Sequence, residues 1–140
     1  MKKYSLALVG ATGLVGRTAI KVLEEFSLPL SKIVFFASEK SAGSKIKFNN
    51  DEYIVKELTD TSFDEGFDFA IFSAGSDVAK HFAPIAVSKG CTVVDNSSAF
   101  RMESNIPLVV PEVNSSELSN HHGIIANPNC STIQAVVPLK

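Results

Sequence analysis

The chain has 140 residues, of which 45% are hydrophobic and 20% charged, and its formal net charge is −2. This composition is typical of one ordinary globular domain with a substantial core. The small net charge gives no electrostatic basis for binding nucleic acid or an anionic membrane, and no apolar run approaches the 18 residues that a membrane span needs.

The glycine-rich stretch near the start of the chain is the first functional signal. A short apolar run, Ser5–Val9, predicts a buried parallel strand, and the apolar spacing after Gly16 predicts a helix. Between them lies a G-x-x-G-x-x-G loop that can hold a dinucleotide pyrophosphate, with an ordinary strand–helix turn as the alternative. The loop consists of Gly10, Ala11, Thr12, Gly13, Leu14, Val15 and Gly16.

A second predicted strand, Lys32–Ala37, ends in polar residues that suggest the type of nucleotide. NAD-binding folds usually carry an acid at this strand end, where it bonds the ribose 2′-hydroxyl. Here Ser38, Lys40 and Ser41 are suited to a 2′-phosphate, which favours NADP over NAD. Glu39 is the residue that argues for NAD, and a solvated polar turn is the third interpretation.

The middle of the chain alternates between predicted strands and helices. A hairpin is expected around Asn49–Asp51, and Phe67–Phe72 predicts the third main strand. The turn Ser73-Ala74-Gly75 then lies at the carboxyl edge of the sheet, where ligands bind in such folds. Ser76 is the predicted N-cap of the next helix, which Pro84 kinks or splits.

The next predicted strand, Cys91–Asp95, begins with a cysteine that we expect to serve only in packing. Arg101 follows in a loop at the same sheet edge, where it either offers its guanidinium to a phosphate or carboxylate or is simply solvated. Leu108–Asn114 predicts a further strand and turn. The alternation of strands and helices indicates an α/β fold, Rossmann-like and doubly wound, with a mainly parallel sheet.

The last segment, Ile124–Gln134, predicts a strand end, a cap and a helix. Asn129 is a capping type of residue and places Cys130 in the first helical turn, where the backbone favours an anion and thus a nucleophilic thiolate. The alternative is a free cysteine acting as a small packing residue. Cys91 and Cys130 show no metal-ligand spacing, so we expect no metal site and, since reduced thiols are the simplest interpretation, a cytoplasmic protein.

The sequence resembles the aspartate-β-semialdehyde dehydrogenase family of bacteria. The most specific match is the string Asn127–Thr132 together with the upstream Asp95–Arg101, and the other matching pieces are Gly10–Gly16, Ser73–Gly75 and Val110–Asn114. The resemblance implies reductive dephosphorylation of L-β-aspartyl phosphate to aspartate semialdehyde with NADPH, the branch-point step towards lysine, threonine, methionine and diaminopimelate.

The resemblance also implies residue roles. Cys130 would be the nucleophile that forms a thioacyl enzyme, Asn129 would position it and the substrate, and Arg101 would bind the substrate phosphate or inorganic phosphate. The glycine loop would hold the pyrophosphate, and Ser38, Lys40 and Ser41 the 2′-phosphate, although many relatives have arginine in place of Lys40. Partners are then the small-molecule substrate and, in the full-length enzyme, further copies of itself, with no nucleic acid or membrane.

The same resemblance implies a domain division and two rival functions. Residues 1–126 would form the NADP-binding domain, and residues 127–140 would begin the catalytic-cysteine helix of a domain that lies beyond Lys140. We therefore expect residues 1–140 to bind nucleotide without turnover. The rivals are N-acetyl-γ-glutamyl-phosphate reductase, whose cysteine motif differs, and a non-catalytic nucleotide-binding module.

Overall fold

The computed structural model describes residues 1–140, which form eight strands, four α-helices and two 3₁₀ segments. The strands are β1 Tyr4–Val9, β2 Leu30–Ala37, β3 Lys45–Phe48, β4 Asp51–Ile54, β5 Lys56–Glu57, β6 Phe69–Phe72, β7 Thr92–Asp95 and β8 Ile124–Ala126. The helices are α1 Leu14–Phe26, α2 Ser76–Ser88, α3 Pro111–Asn114 and α4 Cys130–Leu139, with 3₁₀ segments at Glu39–Ser41 and Ser115–Asn120.

Six strands form one entirely parallel sheet in the order β5-β2-β1-β6-β7-β8. The chain builds outward from β1 through β2 to β5, and then continues on the other side of β1 with β6, β7 and β8. The strand order therefore reverses between β1 and β6, and ligands of open α/β sheets bind beside that reversal at the carboxyl ends of the strands. The predicted Rossmann-like fold is confirmed.

The two faces of the sheet are covered unequally. The face beneath α2 carries a core of 13 buried residues, in which the rings of Phe63 and Phe72 stack with centroids 6.0 Å apart. The face beneath α1 has a core of 10 buried residues centred on β1 and β2. Beside α1, Phe69 of β6 is 39% exposed and two apolar grooves run along the sheet. None of the helices has both the length and the apolar character to span a bilayer.

The predicted hairpin is β3–β4, an antiparallel pair outside the main sheet. Its two turn residues, Asn49 and Asn50, both have positive φ, 50° and 70°, a conformation that asparagine tolerates better than most residues. The hairpin covers β2 because Phe48 and Tyr53 lie 6.0 and 5.4 Å from the Phe35 ring, each edge to face.

Of the strand and turn predicted for Leu108–Asn114, the strand is wrong, and the turn forms as the short helix α3. Only Leu108 makes a β-bridge, to Ala126, and the chain then turns into α3 with Pro111 at its start. Proline cannot donate to a ladder but suits the first turn of a helix. The Asn114 side chain secures the turn, because its Oδ1 accepts the Val110 N–H at 2.9 Å and its Nδ2 donates to the Leu108 carbonyl at 3.0 Å.

The predicted N-cap at Ser76 is wrong by one residue. Gly75, with φ of +91°, is the N-cap of α2, so Ser76 is already helical, and its Oγ lies 2.8 Å from the Ser98 Oγ. Glycine adopts this φ without strain, which allows the helix to begin earlier than a serine cap predicts. The helix also continues through Pro84 to Ser88, so it is not split.

Candidate nucleotide and thiol site

The glycine loop is packed so closely that side chains are excluded at two of its three glycines. Gly10 has φ of +83°, and a Cβ there would lie 2.6 Å from the Ser73 carbonyl oxygen. A Cβ on Gly16 would overlap the Gly10 carbonyl oxygen and lie 2.8 Å from the Ala11 Cα, whereas one on Gly13 would meet that oxygen at an ordinary 3.5 Å. Gly10 and Gly16 thus bring β1, α1 and β6 together, and Gly13 keeps the outer side of the loop open.

A cavity of about 570 Å³ lies over this loop at the carboxyl ends of β1, β2 and β6. Six of the residues predicted to bind the nucleotide line it: Gly10, Thr12, Gly13, Ser38, Ser73 and Ala74. Glu39 also lines it, so the residue that argues for NAD faces the same space as Ser38. The cavity has the size and position that a bound nucleotide requires.

The other predicted nucleotide-binding residues lie around the cavity without lining it. Ala11 is fully buried beneath the loop, while Leu14 and Val15 are exposed at the start of α1 and line one of the apolar grooves. Lys40 and Ser41 belong to the 3₁₀ segment that continues from Ser38. Gly16 acts through packing, and Gly75 forms the helix cap.

Five apolar residues of the cavity were missed from the sequence: Val9, Ala37, Leu58, Val78 and Phe82. Val78 and Phe82 are four residues apart on α2 and therefore share a helix face, which the helical spacing could have revealed. Leu58 follows the two-residue strand β5, which is too short to show any periodicity. These side chains provide an apolar wall of the kind that a flat aromatic ring such as adenine contacts.

The residues present fit a dinucleotide. At Gly10 and Gly16 the bare backbone fills space that a Cβ would need. Helix α1 starts within the loop, at Leu14, and its N-cap Gly13 lines the cavity. Helix N-termini bind phosphate through free N–H groups and the helix dipole. No acidic residue lies in the first turn of α1 to compete with a phosphate.

The predicted capping of the last helix is confirmed. The Asn129 Oδ1 accepts the Ser131 N–H at 2.9 Å, and the Asn129 carbonyl accepts the Ile133 N–H at 3.0 Å. Cys130 is the first residue of α4 and is exposed. A thiol at this position is accessible to small molecules and lies at the N-terminal end of the helix, beside backbone N–H groups.

Cys91 provides a contrast within the same chain. It is 2% exposed and packs in the core beneath α2. Burial, reinforced by the negative charge of Asp68, raises the pKa of its thiol to about 12. Cys91 is therefore a neutral packing residue, and Cys130 is the accessible thiol.

Arg101 contacts the backbone of two segments: its own loop after β7, and residues 127–131, which lead from β8 into α4 and which we call the thiol turn. Its Nε donates to the Asn127 carbonyl at 2.9 Å, and its Nη2 donates to the Asn96 carbonyl at 3.1 Å. A guanidinium has five N–H donors, so the remaining ones are available for an anion. Arg101 is half-buried.

The loop that carries Arg101 is shaped by a buried carboxylate. Asp95, at the end of β7, is fully buried and accepts the Ser97 N–H at 3.1 Å and the Ser97 O–H at 2.7 Å. The Ser97 Oγ in turn accepts the Ala99 N–H at 3.1 Å. This chain of bonds bends the loop back over the strand ends and carries Arg101 towards β8.

The cavity and the thiol occupy different parts of one sheet edge. The glycine loop follows β1 and Cys130 follows β8, three strands away in the sheet. At ~4.8 Å between neighbouring strands, this separation is roughly 14 Å. A dinucleotide extended along the edge from the cavity would run towards the thiol.

Comparison with known proteins shows what this chain is similar to. A family model described as "Semialdehyde dehydrogenase, NAD binding domain" matches residues 5–121. An aspartate-semialdehyde dehydrogenase of Aquifex aeolicus is 52% identical over 139 residues, which make up 98% of this chain and 41% of that protein. The chain thus spans about two fifths of the length of this relative.

Two solved structures share the fold. Aspartate semialdehyde dehydrogenase II of Vibrio cholerae, complexed with ASA, is 42% identical and has a TM-score of 0.89. The match covers 99% of this chain and 46% of the Vibrio cholerae chain. Aspartate semialdehyde dehydrogenase of Candida albicans, crystallised with NADP, is 27% identical and has a TM-score of 0.77. The match covers 98% of this chain and 46% of the Candida albicans chain.

Proposed function

The chain belongs to the family of semialdehyde dehydrogenase NAD-binding domains, and on that premise we propose that it is the nucleotide-binding part of an NADPH-dependent aspartate-semialdehyde dehydrogenase. The reaction is the reductive dephosphorylation of L-β-aspartyl phosphate to L-aspartate 4-semialdehyde, in the biosynthesis of lysine, threonine, methionine and diaminopimelate. The protein acts in the cytoplasm, takes small-molecule substrates, and associates with further copies of itself in the full-length enzyme.

One observation carries this proposal: an exposed thiol at a capped helix start shares the carboxyl edge of the sheet with a glycine-lined cavity. An acyl phosphate transfers readily to a thiolate, and the resulting thioester accepts a hydride. A nucleotide cavity without an accessible thiol would favour a non-catalytic module. The combination favours a reductase that forms a covalent thioester.

Residue roles follow from this arrangement. Gly10, Thr12 and Gly13 would hold the pyrophosphate at the start of α1, and Ser73 and Ala74 would line the path towards the nicotinamide. The backbone from Ser38 to Ser41, with the Lys40 ammonium, would bind the 2′-phosphate. The Candida albicans relative, whose crystal structure was solved with NADP, supports this choice.

The chemistry requires three groups of this chain. The Cys130 sulfur attacks the acyl carbon of aspartyl phosphate, a C–S bond forms, and the C–O bond to phosphate breaks with release of inorganic phosphate. Asn129 holds the start of α4 and orients the thiol, and Arg101 binds the phosphate with the N–H groups that its backbone contacts leave available. When bound, NADPH supplies the hydride that converts the thioester to the aldehyde, and Cys130 leaves as the thiolate.

The proposal divides the chain into an NADP-binding domain, residues 1–126, and the start of the catalytic-cysteine helix, residues 127–140. The Cys130 Sγ is exposed and makes no hydrogen bond with another side chain in the structure. Since general acid–base help is typically worth ~10²–10⁴-fold in rate, residues 1–140 alone would bind nucleotide without measurable turnover.

The test is a titration of NADP and NAD against the wild-type chain, Lys40→Ala and Glu39→Gln. NADP should bind about tenfold more tightly than NAD, since a charge-assisted hydrogen bond contributes ~1.5–3 kcal/mol. Lys40→Ala should lose that preference while leaving NAD binding unchanged, and Glu39→Gln should strengthen NADP binding because it removes a negative charge from the cavity.

Equal binding of NAD and NADP to the wild type would refute the 2′-phosphate assignment. Failure to bind either nucleotide would refute the proposed function. In a longer polypeptide that contains this domain and has reductase activity, Cys130→Ala should abolish that activity and leave nucleotide binding unchanged.

A further inference from the structure

Three side chains connect the loop after β7 to the turn that precedes Cys130. Besides donating to the Asn127 and Asn96 carbonyls, Arg101 lies beside a direct bond between two amides, in which the Asn127 Nδ2 donates to the Asn96 Oδ1 at 2.5 Å. The Asn127 N–H also donates to the Asp95 carbonyl at 2.8 Å. We call Asn96, Arg101 and Asn127 the latch.

Within residues 1–140, α4 has few packing contacts, and its main ones are with α3. None of the residues of α4 is buried, and Leu139 is 83% exposed. At the far end of the helix, the Lys140 Nζ donates to the Val113 carbonyl at 3.0 Å, a single exposed contact. The direction in which α4 leaves the sheet is therefore set mainly at residues 126–129, where the chain passes from β8 to the cap.

Asn127 lies at the centre of this passage. Its carbonyl, its N–H and its side-chain amide are all bonded, to Arg101, Asp95 and Asn96 respectively. Two residues later, the Asn129 side chain accepts the Ser131 N–H and closes the first turn around Cys130. A displacement at Asn127 would be transmitted through the buried, rigid Pro128 to that cap.

We propose that Asn127 is a positioning residue, which holds the capped turn that makes Cys130 reactive. It does so through the hydrogen bond of its side chain to Asn96 and through the Arg101 contact on its carbonyl. The inference rests on the proposed function of Cys130 as the nucleophile. It gives Arg101 a second task beside phosphate binding, because the guanidinium that meets the substrate also fixes the thiol that attacks it.

The test measures alkylation of Cys130 by iodoacetamide at pH 7 in the 140-residue chain, quantified on the Cys130 peptide by mass spectrometry. Asn127→Asp removes the donor, and we expect the rate to fall at least threefold. Asn96→Asp adds the same charge but retains an oxygen acceptor for the Asn127 Nδ2, so its rate should stay within about twofold of the wild type. This charge-matched pair separates the lost bond from the added charge.

A second variant and a second readout keep the test decisive if Asn127→Asp does not fold. Asn96→Ala removes the acceptor from the other side and should also slow alkylation at least threefold. Hydrogen exchange should rise at the first amides of α4 in the two disrupting variants, and in neither should it rise at β1 or β6.

Two outcomes would overturn the proposal. Equal alkylation rates in the wild type and all variants would show that the latch does not affect the thiol. An equal decrease of the alkylation rate in Asn127→Asp and Asn96→Asp would assign the effect to charge alone. Nucleotide titration of the same variants separates this result from the proposed function. A chain that binds no nucleotide refutes that function, whereas normal binding with unchanged alkylation refutes only the positioning role.

Discussion

The glycine loop and the thiol turn both lie at the carboxyl edge of the sheet, but they are held in place by different forces. The loop is confined by backbone atoms within 3 Å of any added Cβ at Gly10 and Gly16, and it lies on a core of fully buried side chains. The thiol turn is exposed and is connected to the rest of the domain by the hydrogen bonds of the latch and the Asn129 cap.

This difference decides how each region responds to change. Close packing involves many atoms at once, so a single substitution at the loop or beneath it affects the stability of the whole domain. A hydrogen bond contributes only ~1 kcal/mol on its own, so a change at the thiol turn alters local order more than global stability. Within residues 1–140, the glycine loop is therefore the more tightly packed of the two regions, and the turn before Cys130 is the more loosely packed one.

The largest expected contrast is between the core and α4. Phe72→Ala should lower the free energy of unfolding by about 3–5 kcal/mol, because Phe72 is fully buried and stacks on Phe63. Val137→Ala on α4, where Val137 is 40% exposed, should cost less than about 0.5 kcal/mol. Urea unfolding monitored by circular dichroism checks both values, and similar losses would contradict the comparison.

The next contrast lies within the glycine loop. Gly16→Ala should cost about 1–3 kcal/mol and abolish nucleotide binding, because its Cβ overlaps the Gly10 carbonyl and forces the loop open. Gly13→Ala has room at 3.5 Å and should retain the wild-type melting temperature. Thermal unfolding with and without NADP measures both effects. A normal melting temperature in Gly16→Ala would show that the close approach is unimportant.

The smallest expected effect is on how stability depends on pH, and it distinguishes the two cysteines. Because burial raises the pKa of Cys91 to about 12 from an ordinary 9.0, the native state keeps a proton that the unfolded state loses. The stabilisation is complete below pH 9.0 and falls by at most ~1.4 kcal/mol per pH unit as the pH rises towards 12. Cys91→Ala should remove this dependence and Cys130→Ala should not, as unfolding curves from pH 8 to 10 would reveal.

Several local features could be predicted because neighbouring residues determine them. The Asn129 cap, the hairpin turn at Asn49 and Asn50, and the glycine loop between β1 and α1 are each decided within a few residues. Capping, positive φ and helix initiation are short-range effects, so the residue types alone carry the information. The parallel sheet followed from the alternation of apolar strands with helices.

Other features could not be predicted because they depend on residues far apart in the chain. Leu58 enters the nucleotide cavity only because β5 pairs with β2, and Leu108 makes a single bridge because Ala126 lies beside it. The sequence indicated that Arg101 is either an anion ligand or a solvated loop residue, and neither interpretation predicted its bond to the Asn127 carbonyl, 26 residues away. Sequence patterns report periodicity and local conformation, but not which strand ends become neighbours.

By itself, then, the sequence determined the α/β fold, the glycine loop between β1 and α1, and a capped helix that begins at Cys130. Only the tertiary structure decided that Asn96 and Arg101 contact the turn before that helix, since the parallel pairing of β7 with β8 brings their loops together. The physical reason is the range of the forces: dihedral preferences and caps act over a few residues, whereas contacts between loops exist only after the sheet has assembled.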